Sequence, residues 1–137
     1  MNREIKFRVW DKELKSMHEL AGFIQFKQFT EIHYGAGGFR TGSRNTFELM
    51  QFTGLKDKNG VDIYEGDIVE FLYKHPEKAE NLALVKCEIF WSTEGAWCLK
   101  WLDKSKYENG SRLNPEKYTV IGNIFQNEAL LTNDNKT

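Results

Sequence analysis

The run Gln51-Phe-Thr-Gly-Leu-Lys-Asp-Lys-Asn-Gly-Val-Asp-Ile-Tyr-Glu-Gly-Asp-Ile-Val-Glu-Phe71 sets two turn signals, Asp57-Lys58-Asn59-Gly60 and Glu65-Gly66-Asp67, among short apolar runs. Asn and Gly adopt tight-turn backbone at little cost, so a chain punctuated this closely doubles back every few residues. Apolar runs that short make strands, because an amphipathic helix needs its apolar stripe to persist over several turns. Gly54, Gly60 and Gly66 are expected as bends, with Ile63, Ile68, Val69 and Phe71 packing between them.

The same grammar extends through the chain. Ile5, Phe7 and Val9 alternate with Lys6 and Arg8, the two-residue period of a half-buried strand. Asp11-Lys12-Glu13 predicts a polar turn, and Met17 to Phe26 a returning strand. A glycine-rich loop is expected between His33 and Asn45, and Phe47 and Leu49 resume the alternation. Val69, Phe71 and Tyr73 fall on one face of a further strand, with Glu70 and Leu72 on the other. Leu82 to Trp91 and Ala96 to Trp101 frame Ser92-Thr93-Glu94-Gly95, a hairpin signal. His75 to Asn81 and Asp103 to Glu116 read as polar loops. Tyr118 to Phe125 is a last strand in which Gly122 predicts a bulge. Glu128 to Leu131 is expected to start a helical turn. No stretch sustains helical spacing for three turns, so the fold class is mainly β. One domain over 1–137 is expected, with N-terminal strands and the glycine-rich loop over 1–45, a β core over 46–131 and a tail over 132–137.

At 137 residues the chain is long enough to bury one core, and ten Phe, five Tyr and four Trp favour collapse over disorder. Its formal net charge of -1 lacks the basic excess that holds nucleic acid through phosphates. The first residues alternate charge with apolar side chains and make neither a secretory signal nor a membrane span. Cys87 and Cys98 form no CxxC and have no histidine at ligand spacing. A reduced, cytoplasmic protein without membrane association is the expectation.

The candidate chemistry meets structural competition at each position. Asp57, Asn59 and Asp62 suggest a calcium loop, but an EF-hand wants a ligand, Gly and Glu where Val61, Asp62 and Ile68 stand. A turn explains them better. Glu65 and Asp67 suggest an acid–base pair, yet the glycine between them again implies a turn. The loop Gly35-Ala-Gly-Gly-Phe-Arg-Thr-Gly-Ser-Arg44 matches neither the dinucleotide fingerprint nor the P-loop. Arg40 and Arg44 within it are the candidate anion or nucleic-acid contacts. His18, His33 and His75 are scattered and give no zinc spacing. With a four-residue hairpin loop, Cys87 and Cys98 share a face, offset diagonally, as packed side chains rather than a disulfide. No cofactor, metal or catalytic residue is assigned.

Phe90, Trp91, Trp97, Trp101 and Tyr107 gather around the predicted hairpin. Alternation sends about half inward, and the rest are available to a partner. Lys86, Lys100, Lys104 and Lys106 are interspersed with Glu88, Glu94 and Asp103, which favours a protein interface over a stacking platform for single strands. Trp91, Trp97, Trp101 and Tyr107 are therefore the candidate interaction surface. The reading is a non-catalytic protein-interaction module whose partner is another protein or a further copy of the chain. The alternative is an accessory nucleic-acid-binding protein, with Lys27, Arg40, Arg44, Lys100 and Lys104 required on one face. An enzyme without a recognisable motif ranks last.

Arg8-Val-Trp-Asp11, the later Met17, Gln51 to Gly60, Ile63-Tyr-Glu-Gly-Asp-Ile-Val69 and Val120-Ile-Gly-Asn-Ile-Phe125 together resemble the YopX-like family of phage and prophage proteins. The order and spacing extend over nearly the whole chain. One departure is Asn127-Glu128-Ala129-Leu130-Leu131, where the family commonly carries a proline after the asparagine. The resemblance implies a small SH3-like roll or partly open barrel with an N-terminal hairpin extension and a short C-terminal helical turn. It also implies a phage or prophage origin, and brings no activity, cofactor or catalytic residue.

Overall fold

The computed structural model describes residues 4–74, 77, 80, 82–102 and 113–127. Among them run ten strands and a single 3-10 turn: β1 Phe7–Asp11, β2 Ser16–Gln25, β3 Phe29–Tyr34, β4 Phe39–Ser43, β5 Phe47–Lys56, β6 Asp62–Tyr64, β7 Asp67–Lys74, β8 Leu82–Trp91, β9 Trp97–Trp101, the turn Pro115–Lys117, and β10 Thr119–Asn123. The strands make two antiparallel sheets that do not close into a barrel, in the orders β4-β3-β2-β1-β5-β6 and β10-β7-β8-β9. The mainly β class holds, with one short helical turn near the C-terminus. The segment Glu128 to Leu131 lies outside the described residues. No described helix is long and apolar enough to cross a membrane. By contacts the chain divides into two compact units, Met1–Gly54 and Leu55–Thr137. The division falls inside β5 at Gly54, whose φ is 89°.

In the first unit, β1 pairs with β2 on one side and β5 on the other. The alternation seen in the sequence puts Val9 fully inside, with Ile32 and Phe47, and Leu20, Phe23, Tyr34 and Leu49 pack around them. The Asp11 turn closes the β1–β2 hairpin. Its carboxylate accepts the N–H groups of Glu13 and Leu14, both at 3.0 Å, and Lys15 takes the left-handed backbone at φ 56°.

The expected glycine-rich loop is largely a hairpin. Its turn is confined to Gly35 to Gly38, with Gly37 and Gly38 at φ 103° and 87°, and Phe39 to Ser43 returns as β4 in register with β3. Phe39, Thr41 and Ser43 alternate like any strand, and the surrounding glycines hid that rhythm. Gly42 sits in tight quarters, because a Cβ there would lie 3.1 Å from both the Phe47 ring and the Thr46 side chain.

In the second unit, Ile63, Val69, Cys87, Ile89, Leu99, Trp101 and Tyr118 form the core, flanked by Phe71, Tyr73, Val85 and Trp97. Each fully buried aliphatic side chain there contributes about 1.5–3 kcal/mol relative to exposure. Val69, Phe71 and Tyr73 face inward as expected, and Leu72 faces out. Asp57 shapes the turn before β6 by accepting N–H groups from Asn59 at 2.8 Å and Val61 at 2.9 Å. Gly60 supplies the positive φ of 82°. The β10–β7 register shifts between Val120 and Gly122, the bulge expected there.

Candidate functional site

The four residues expected to form an interaction surface separate. Trp91 and Trp97 are register partners across the β8–β9 hairpin, with ring centroids 4.7 Å apart in an edge-to-face arrangement. Trp91 is 51% exposed, whereas Trp101 is 7% exposed inside the second core and meets the edge of Tyr73 at 5.0 Å. Tyr107 lies outside the described residues, as do His75, Lys104 and Lys106. Trp91 thus remains the outward member, backed by Trp97.

The two arginines also part company. Arg40 points to the inner face of β4 and engages Asp11 through Nε to Oδ2 at 2.5 Å and Nη2 to Oδ1 at 3.3 Å. Nη2 also reaches Glu13 at 2.8 Å, and the guanidinium lies over the Phe47 ring at 5.8 Å. Its fork is spent on two carboxylates that charge-assisted bonds hold well, and both raise its affinity for its proton. Burial alone would lift the Asp11 pKa. The Arg40 bond and charge and the two turn N–H groups outweigh it, holding the carboxyl below the usual range. Arg44 is exposed in the turn after β4. Phe29 faces Ser43 across β3 and β4, so Lys27, in the β2–β3 turn, and Arg44 share that end of the sheet. Lys100 belongs to the other unit.

The former metal and acid–base candidates have structural duties. Asp57 is buried and, besides its two turn bonds, accepts the Val120 N–H at 2.9 Å through Oδ2. Burial works against its charge, but the bonds from Val120, Val61 and Asn59, helped by Lys58, keep its pKa below the ordinary value. Asp67 is buried and accepts the Tyr64 N–H at 2.8 Å, closing the β6–β7 turn. Among the described residues no three of His, Cys, Asp and Glu converge as a metal site.

The cysteines correct the sequence reading. The hairpin loop holds Ser92 to Ala96, five residues, so Trp91 pairs with Trp97, Phe90 with Cys98 and Cys87 with Trp101. That odd offset sends Cys87 to the core face and Cys98 to the opposite one. Both are buried free thiols, and burial pushes the Cys87 pKa up to about 12, which leaves it an inert packed side chain.

An outer face that the sequence reading passed over carries four exposed apolar side chains of the first unit. On the side of β2, β3 and β4 away from Val9 and Ile32 stand Ile24, Phe26, Phe29 and Phe39, all exposed. Phe26 and Phe29 stack at the hairpin tip, centroids 4.4 Å apart and planes 19° from parallel. Phe39 stacks on its register partner His33 at 5.6 Å. The charge beside them is Glu31, which takes His33 Nε2 at 2.6 Å. The signal was present in Phe26-Lys-Gln-Phe29, whose two aromatics flank a two-residue tip, and in Phe39, directly after paired glycines.

The family described as YopX protein matches residues 6–132. The crystal structure of protein EF1440 from Enterococcus faecalis is similar at 27% identity and a TM-score of 0.61, over 95% of this chain and 99% of that one. No curated protein matches.

Proposed function

We propose that this chain, which belongs to the YopX protein family, is a non-catalytic protein-interaction module working through the outer face of β2, β3 and β4. One observation carries the reading: Ile24, Phe26, Phe29 and Phe39 are exposed together on that face, and the neighbouring Glu31 carboxylate is held by His33 Nε2 at 2.6 Å. Interface centres are rich in aromatics and poor in unpaired charge, and exposed apolar clusters on small domains mark such places. The phage or prophage setting and an SH3-like roll, which the family resemblance implies, belong to the same reading, as does the cytoplasmic location expected from the cysteine usage.

Lys27 and Arg44 at one end of the sheet favour a second reading, contact with nucleic acid. With a formal net charge of -1, it would rest on that local pair alone. Capture of partners from a bacterial host by the wild-type chain and by Phe39→Asp, with and without nuclease, separates the two. Protein recovery that resists nuclease and is lost in Phe39→Asp is the expected result. Recovery abolished by nuclease, or unchanged by the substitution, would replace the reading.

A further inference from the structure

The geometry points to β4 as the seam of a homodimer, in which two copies pair antiparallel about a two-fold axis at Thr41. This rests on the reading of the β2–β4 face above and names its occupant. β4 is the edge strand of its sheet among the described residues. Tyr34 donates to the Gly38 carbonyl at 3.1 Å, and the β3–β4 register then alternates through Arg40 and Gly42. Those residues bond inward to β3, so the N–H and C=O groups of Phe39, Thr41 and Ser43 point away from the sheet. Natural edges are usually blunted by charge, proline or a bulge. β4 has no proline, pairs with β3 without a register shift, and turns its one charge, Arg40, inward to Asp11.

A two-fold axis at Thr41 matches this edge to itself. Thr41 meets the partner's Thr41 and exchanges two bonds, and each Ser43 N–H reaches the partner's Phe39 carbonyl. The Ser43 carbonyl already accepts Thr46 N–H at 2.9 Å, so four bonds are uncontested. The same axis sets Phe39 beside the partner's Ser43, whose register neighbour is Phe29. The aromatics at opposite ends of β4 therefore meet twice, which an unrelated extended peptide would not reproduce. Phe26, Phe29 and Phe39 are 41%, 39% and 62% exposed. At about 200 Å² per phenylalanine, the two copies bring about 600 Å² of apolar surface together. Even with the paired backbones added, that stays below about 1,200 Å², the lower end of stable interfaces. The dimer is accordingly weak and concentration-dependent.

Sedimentation of the full chain over a wide dilution series is expected to move from one 16.0 kDa chain toward twice that mass. Thr41→Pro removes an outward N–H without touching the β3 ladder, and should weaken the dimer by at least about tenfold while leaving thermal unfolding of the dilute chain unchanged. Thr41→Cys gives a sharper readout. Residues facing each other as a hydrogen-bonded pair have Cα atoms about 5.5 Å apart, within disulfide range. That variant should oxidise to a covalent dimer, whereas Ser43→Cys, facing Phe39 of the other copy, should not. Equal cross-linking of both variants, or a dimer that survives Thr41→Pro but is lost in Leu72→Asp on β7, overturns the proposal. A chain that stays at 16.0 kDa throughout also overturns it, and nuclease-resistant capture through Phe39 would then leave the interaction reading standing alone.

Discussion

Asp57 and Asp11 each convert a buried charge into local order, and Glu88 is their counterpart of opposite sign. Asp57 and Asp11 give up water but collect N–H donors, and both bind a proton less readily folded than unfolded. Protonation therefore favours the unfolded chain: their contribution is complete above the unfolded value near 3.8 and fades as pH falls through the lower folded value. Glu88 sits half-buried on β8 opposite Lys100. Burial raises its pKa, Lys100 opposes that and Glu65 adds to it. Its charge costs stability at neutral pH, and the cost is relieved as pH falls through the raised folded pKa. In Asp57→Asn an amide N–H₂ would face the Val120 N–H or the turn, a loss of about 2–3 kcal/mol at pH 7. Urea midpoints at neutral and acid pH check both signs. The gap between wild type and Asp57→Asn should shrink in acid, while Glu88→Gln should match or exceed wild type at pH 7. A gap for Asp57→Asn that is the same at both pH values would contradict the assignment.

Among the elements, β10 leaves no room for a side chain at Gly122. A Cβ on Gly122 would lie 2.5 Å from Asn127 Oδ1, the atom that accepts the Asn123 N–H at 3.0 Å. Asn123 in turn accepts the N–H groups of Phe125 and Gln126 at 3.0 and 2.8 Å. Gly122→Ala should cost about 1–3 kcal/mol as overpacking. Gly22→Ala, with nothing within 4 Å of the added carbon, should stay within about 0.5 kcal/mol. Denaturant titration of the two variants decides it, and equal losses would refute the steric account. The strands were legible because alternation and turn chemistry are local: β1, β7, the Ser92 turn and the Gly122 bulge all follow from neighbours in the chain. β4 was hidden because glycine carries no side chain to show a period. The cysteine faces depended on whether a loop held four residues or five, and one residue flips a strand's parity. The Arg40–Asp11 pair, separated by 29 positions, had no local signal. Trp101 could not be told from Trp91 by composition, since only the register places one in the core and the other at its rim.

For the whole molecule, the two units carry cores of unequal size. Among the described residues, the buried core cluster of the second unit has seven members and that of the first has three. Local opening is governed by how much apolar surface an element buries. In the dilute, monomeric chain, amide hydrogen exchange should therefore be slowest at β7 and β8 and fastest along the outward amides of β4. Protection that is uniform across the two units would contradict the inequality. The Asp57–Val120 bond joins residues 63 positions apart, and this has a kinetic meaning. The Asp57 turn can close from its immediate neighbours, whereas its third bond waits until the intervening chain has collapsed and β10 has docked. Closing so long a loop is entropically costly before packing repays it. That contact is expected to form after the rate-limiting step, so Asp57→Asn should speed unfolding and leave refolding nearly unchanged. The carboxylate then acts as a latch, idle while the molecule assembles and effective in slowing its undoing.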